Sequence, residues 1–342
     1  MIDRQTLLTA TLSGAHSLER APKAQVVRDL LGLQAQFAFN PPLSLQLRAS
    51  DYSPEGWADG LVKIWSHRGT LHVVEEAELG LYLSAADQAG PFRDGWWGMT
   101  AAQQARWAPF LLDQVRAGND TRDALKRSCI AAGMDDALLR CVFYGWGGLI
   151  KELVWRGQLA AVPGSEKRYR IPAPPVWMDR DEARAELVRR YFAAFGPASA
   201  EDCAGFFGWK KSELKPVLAE VLPEMMECRW EGVSLWHARP LDGLPRLPDC
   251  VLLPGFDAAV LAYRDRSRMI DPAHRLKVTN AQGIVFPIVI LRGKARARWK
   301  PDGDTLRVTP FERLLKRDIV SIRRAARREL GLRSVEIAPT LP

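Results

Sequence analysis

Val26-Val27-Arg28-Asp29-Leu30-Leu31-Gly32-Leu33-Gln34-Ala35-Gln36-Phe37-Ala38-Phe39-Asn40-Pro41-Pro42 is the stretch on which the fold reading turns. Val26, Val27, Leu30 and Leu31 recur at three-to-four spacing, which is one face of a helix. Pro22 stands where a first helical turn tolerates proline. Leu7, Leu8, Thr11 and Leu12 make the same pattern upstream. Two amides around one small apolar residue then interrupt it, and a pair of glutamines makes poor core material. Pro41-Pro42 is expected to halt any helix. Leu43, Leu45 and Leu47 alternate with Ser44, Gln46 and Arg48, which predicts a half-buried strand. A short helix over about 54–62 and a second strand-like run from Trp65 to Val74 complete the module. Three helices and a strand pair are the content of a winged helix, in which a helix crosses nucleic acid and a β-hairpin wing reaches its backbone.

The theme recurs outward from there. Helical stretches near 100–117, 120–132 and 135–156 precede Gly157–Val162 and Arg168–Ile171, read as a second wing hairpin. Pro172, Pro174 and Pro175 mark a linker. A third round has helices from Asp179 to Phe195, Ser199 to Phe207 and Lys210 to Val221. Strands at Met225–Trp230 and Ser234–Ala238 follow them. From Leu252 the character turns to β, with runs at 284–291, 295–300 and 305–309. Asp302-Gly303 signals a hairpin, and a final helix is expected from Phe311 to Leu330. The reading is therefore an α+β chain of tandem winged-helix domains ending in a small β-barrel or curled sheet. Its boundaries are 1–95, 96–175, 176–250 and 251–342.

Bulk properties narrow the function. The 342 residues are 47% hydrophobic and 26% charged, as in folded globular proteins. No run of 18 apolar residues occurs, so no spanning helix and no membrane partner are expected. The N-terminus lacks a charged-then-apolar leader, which predicts a cytoplasmic protein, and a DNA partner would make it nucleoid-associated. Five cysteines, none in a Cys-x-x-Cys pair, predict a reduced chain with no metal. Net charge is +8, but residues 264–333 hold 19 Lys plus Arg against 7 Asp plus Glu, a net +12. A basic C-terminal fifth on a slightly acidic body predicts one cationic face turned to a polyanion.

With these pieces placed, the chain resembles the AlkZ/YcaQ family of bacterial winged-helix DNA glycosylases. Leu31-Gly32-Leu33-Gln34-Ala35-Gln36 is similar to the Gln-apolar-Gln motif of the AlkZ-like branch; the YcaQ branch has Asp in the last place. Trp65-Ser66-His67-Arg68-Gly69-Thr70-Leu71-His72 is a second match, and Leu252-Leu253-Pro254-Gly255-Phe256-Asp257 with Tyr263-Arg264-Asp265-Arg266 a third. A weaker fourth is Phe195–Asp202. The chain departs from the pattern at Phe206-Phe207-Gly208-Trp209 and at Asn280–Gly283. The resemblance implies a C-shaped protein whose concave basic face grips double-stranded DNA. It also implies cleavage of the N-glycosidic bond of N7-alkylated purines and unhooking of interstrand crosslinks, by a monomer without cofactor or metal.

On that reading Gln34 and Gln36 are the catalytic pair. An amide is too weak a base to take a proton from water, but its carbonyl can hold and aim one, and orientation alone lowers barriers by several kcal/mol. An N7-alkylated purine is already cationic and leaves as a neutral base, so a weak catalyst suffices. Residues i and i+2 diverge on a helix, so both amides reach one water only if the helix ends near Ala35. The DNA-binding candidates are His67, Arg68, His72, Arg264, Arg266 and the stripe Arg323, Arg324, Arg327 and Arg328. On a continuous strand His67 and His72 would face opposite sides. Asp257 is expected to orient Arg264 or Arg266 in a buried pair or to line the active cleft, or else to serve as a turn or cap. Glu75, Glu76 and Glu78 are read as a helix-capping cluster, and Trp96-Trp97 as packing anchors rather than a wedge or stacking pair. The competing reading is a winged-helix DNA-binding protein without catalysis, a regulator or a shield for damaged DNA.

Overall fold

The computed structural model describes residues 1–86, 97–145 and 148–341; Trp96 lies outside them. Helix α1 (Arg4–Gly14) begins where Asp3 accepts the Thr6 N–H at 2.7 Å and buries Leu7, Leu8, Thr11 and Leu12. Helix α2 (Lys23–Asp29) stops because Leu31 and Gly32 turn left-handed, at φ 57° and 86°. A short extended piece, β1 (Leu33–Gln34), follows.

Asn40–Arg48 is then helix α3, not the half-buried strand read from Leu43, Leu45 and Leu47. The prolines occupy its first turn, where the missing N–H costs no helical bond. Its buried residues include Pro41, Ser44, Leu45 and Arg48, at helical spacing. One of these is a buried arginine, so apolarity alone gave the wrong period.

The helix expected over 54–62 is a series of turns, and β2 (Leu61–Trp65) pairs antiparallel with β3 (Leu71–Glu75). Helix α4 (Leu79–Ala85) follows, then α5 (Ala101–Arg116) with a Thr100–Gln103 capping box, and α6 (Arg122–Ala131). The helix expected from 135 to 156 is two, α7 (Asp136–Val142) and α8 (Gly148–Trp155). Gly148 has φ 59°, and a Cβ there would lie 2.0 Å from the Cys141 carbonyl, so only glycine fits. Strands β4 (Ala160–Ala161) and β5 (Tyr169–Arg170) close this part. Next come α9 (Arg180–Phe195), α10 (Ala200–Phe207), α11 (Lys211–Val221) and the hairpin β6 (Met226–Trp230) and β7 (Val233–His237). The remainder is β8 (Cys250–Leu253), α12 (Ala258–Leu261), α13 (Arg275–Val278), β9 (Ile288–Leu291), β10 (Lys294–Asp302), β11 (Thr305–Pro310), α14 (Lys316–Leu330) and β12 (Ser334–Ile337).

The chain divides into two compact units, one of 1–34, 40–57 and 185–342 and the other of 35–39 and 58–184. In the second unit the strand-like run from Trp65 to Val74 is not one strand but the turn and second strand of the hairpin β2–β3. This hairpin shares one sheet, β3-β2-β4-β5, with the strands read as a second wing, joined at Lys63 and Ala161. Glu76 does not cap α4: it receives Arg170 at 2.6 and 2.7 Å and the Ala173 N–H at 3.0 Å.

In the first unit the C-terminal sheet runs β12-β11-β10-β9-β8. It is open, with β8 and β12 at its two edges, and does not close into a barrel. Strand β12 pairs parallel with β11, which β-period reading missed. Leu252, Val289, Leu291, Ala297, Trp299, Leu306 and Val308 meet Ile322, Ala325 and Ala326 of α14 and Leu47 of α3 in one core. Trp299 is buried because its indole N–H reaches both the Leu253 and Ile288 carbonyls, at 2.9 and 3.1 Å.

Candidate active site

Because α2 ends at Asp29, the Gln34-Ala35-Gln36 tripeptide is not helical. Ala35 is buried, while Gln34 is half-buried and Gln36 exposed. Gln34 is the last residue of β1, and Gln36 lies in the bend that follows it. The Ala35 N–H donates to the Leu71 carbonyl at 2.8 Å, which brings Ala35 beside the second motif.

His67 and His72 are both buried, and contrary to the strand-based expectation they meet, with ring centroids 3.8 Å apart. Residues 66–70 form a turn in which Arg68 is left-handed at φ 56° and Gly69 at 65°, so the chain doubles back. The Ser66 hydroxyl lies 3.1 Å from Nδ1 of each ring. An Arg68 guanidinium nitrogen lies 3.4 Å from His72 Nε2. Burial, then the neighbouring charges, hold both imidazoles well below the usual histidine range. They are neutral at physiological pH, so they offer no charge to a phosphate, and it is His72 that lies against Arg68.

Asp257 caps α12 by accepting the Ala259 N–H at 2.8 Å, as an aspartate after this turn should. Its charge partner is not Arg264 or Arg266 but Arg48, in a pair where both side chains are 1% exposed. Arg48 also donates to the Ala15 carbonyl at 2.7 Å and to Ser17 and Ser44. Nothing short-range marked it, since Arg48 and Asp257 are 209 residues apart.

The four arginines of α14 lie together on its exposed face, opposite Ile322, Ala325 and Ala326. Arg264 is exposed and Arg266 half-buried, and both line one cavity with Arg275, a residue the sequence did not single out. Lys151 was missed too. It is buried on α8 with its ammonium 4.5 to 5.9 Å from the rings of Trp65, Trp97 and Trp155, and burial lowers its pKa. Among the described residues no group of three His, Cys, Asp or Glu is placed to hold a metal, and no helix is long and apolar enough to cross a membrane.

The α+β fold is one that solved structures already contain. The Streptomyces sahachiroi DNA glycosylase AlkZ superposes with a TM-score of 0.80 at 24% identity, covering 99% of this chain and 100% of that one, a likeness of fold. A curated relative from the same organism, an interstrand DNA cross-link repair glycosylase, is 29% identical over 316 residues, 84% of each chain. The family model described as DNA glycosylase AlkZ-like matches residues 27–332. The chain belongs to the AlkZ-like family of DNA glycosylases.

Proposed function

We propose that this protein is a monofunctional glycosylase that hydrolyses the N-glycosidic bond of N7-alkylated purines in double-stranded DNA and unhooks interstrand crosslinks. Crosslink repair is what the Streptomyces sahachiroi relative is named for. The observation that carries the chemistry is the end of α2 before Gln34, which leaves Gln34 on extended backbone and Gln36 in the bend that follows, so that helical divergence does not separate the two amides.

In the reaction, the carbonyl oxygens of Gln34 and Gln36 accept hydrogen bonds from one water and aim its lone pair at C1′. The C1′–N9 bond breaks, its electron pair neutralises the cationic purine, and the base leaves without needing a proton. Water oxygen bonds to C1′, and its surplus proton passes to solvent. Amides supply position rather than basicity, so neutral, undamaged bases stay intact. Arg68, with His72 against its guanidinium, is the backbone-contacting residue beside this motif, and His67 and His72 offer the DNA neutral imidazoles. Arg264, Arg266, Arg323, Arg324, Arg327 and Arg328 contribute the salt-sensitive phosphate contacts.

The test is base release from a duplex bearing a single 7-methylguanine, with wild type against a Gln34→Ala/Gln36→Ala double variant. Abasic sites made by wild type and lost in the variant, with DNA binding kept, support the reading. Tight binding by wild type with no abasic product, on this duplex and on a crosslinked one, would return the protein to the class of non-catalytic DNA binders.

A further inference from the structure

Arg264, Arg266 and Arg275 line a cavity of about 500 Å³ together with Ser267, Thr279 and Asn280. Among the described residues none of these three guanidinium groups is ion-paired. The one carboxylate in the lining, Asp265, is held by its lining neighbour: its two oxygens accept the Ser267 N–H at 2.9 Å and the Ser267 hydroxyl at 2.8 Å. Asn280 is likewise occupied, its carbonyl oxygen taking the Gln282 and Ile284 N–H groups at 3.1 and 2.8 Å. Arg266 gives one terminal nitrogen to the Thr279 hydroxyl at 2.8 Å, while its Nε is buried with no acceptor. Burial and the neighbouring Arg275 charge both push Arg266 below the usual arginine range.

A buried guanidinium N–H without an acceptor costs free energy, and a like charge beside it adds to that cost. An anion with several oxygens removes both penalties, and guanidinium forks match phosphate oxygens in pairs. We propose that this cavity is a phosphate pocket that takes a backbone phosphodiester of DNA, with Arg266 and Arg275 as its two claws and Arg264 at its rim. The DNA source rests on the function proposed above and on the +12 charge of residues 264–333. A phosphodiester fits the cavity with room for part of the flanking sugar.

The test is binding of undamaged duplex as a function of salt, so it does not depend on base release. Compare wild type, Arg275→Gln, Arg275→Glu and Arg266→Gln/Arg275→Gln, with Arg116→Gln as a control for net charge. Arg275 and Arg116 are exposed, so their variants should fold. The plot of log affinity against log salt should become shallower by about 1 for each phosphate that is no longer neutralised, and more so in the pocket variants than in the control. Slopes equal to that of Arg116→Gln would overturn the proposal. Inorganic phosphate is the second probe, followed by calorimetry. Tight phosphate binding that the double variant abolishes, with DNA slopes unchanged, would overturn DNA as the source and assign the pocket to a free phosphate compound. If wild type releases no base but the slopes fall, the pocket stands and the catalytic reading fails.

Discussion

Arg48 on α3 and Asp257 at the head of α12 form a buried ion pair across 209 residues of sequence, with each side chain 1% exposed. The guanidinium also holds the Ala15 carbonyl, Ser17 and Ser44. One side chain therefore ties the end of α1, the α3 helix and the cap of α12 together within the first unit.

Removing either partner should leave an uncompensated charge in the core. Arg48→Ala or Asp257→Ala is expected to cost about 3–5 kcal/mol of stability. An Arg48→Met/Asp257→Leu double variant should recover a large part of that loss. Urea unfolding of the four proteins compares these losses. A loss below about 1 kcal/mol for both single variants would show that the pair is not what holds these elements.

Acid should weaken the protein through His67 and His72. Their folded pKa values are lowered well below 6.5 by burial, so below pH 6.5 the unfolded chain binds protons that the folded chain refuses. Stability contributed by the pair is full above that pH and falls as pH drops. If both stay neutral when folded, the slope approaches about 2.7 kcal/mol per pH unit well below 6.5. Denaturant midpoints for wild type and a His67→Phe/His72→Phe variant check this: the variant's curve should be flatter between pH 6.5 and 5.

Gly14 ends α1 where it approaches α9. A Cβ at this position would sit 1.8 Å from the Ala194 carbonyl oxygen, which is backbone and cannot step aside cheaply. Gly14→Ala should destabilise by at least about 1–3 kcal/mol, although alanine is the better helix former. A raised melting temperature would refute the close approach.

Thiol reactivity separates the cysteines by burial. Cys129 and Cys250 are buried, with their thiols pushed up to about 11 and about 12, and Cys203 is buried and raised well above the ordinary thiol value. A disulfide reagent at neutral pH should therefore modify at most Cys141 and Cys228 in the native protein, and all five after unfolding. Fast reaction of a third thiol would contradict the described packing.

Replacing an amide of the catalytic pair by a carboxylate should alter selectivity. Gln34→Glu or Gln36→Asp supplies the basicity that the native pair lacks, and is expected to extend base release to neutral lesions. Rates on 7-methylguanine and on a neutral adduct, measured side by side under single-turnover conditions, read this directly. Unchanged selectivity would mean that the glutamines do not set it.

Much of this protein was legible in the chain. The three-to-four spacing of Leu7, Leu8, Thr11 and Leu12 is α1, and the runs 179–195, 199–207 and 210–221 are α9, α10 and α11 to within a residue or two. Asp302-Gly303 does turn β10 into β11. These succeed because local periodicity and turn chemistry act over a few residues, where sequence is dense with information. The paired motifs around Gln34 and His67 were visible for the same reason, as local clusters of polar groups unsuited to a core.

What failed was set by distant partners. Residues 43–47 alternate like a strand, yet the segment is a helix because its buried face includes Arg48, tolerable only beside Asp257. His67 and His72 looked opposed until two left-handed residues folded the chain back on itself. Strand β12 and the cavity of Arg264, Arg266 and Arg275 likewise depend on neighbours that meet only after folding. The sequence alone determined α1, α9, α10, α11 and the turn from β10 to β11, together with the charge asymmetry and the presence of the glutamine pair. Tertiary structure decided which polar groups are buried together, because whether a buried charge is tolerated depends on the partner that desolvates with it and not on its neighbours in the chain.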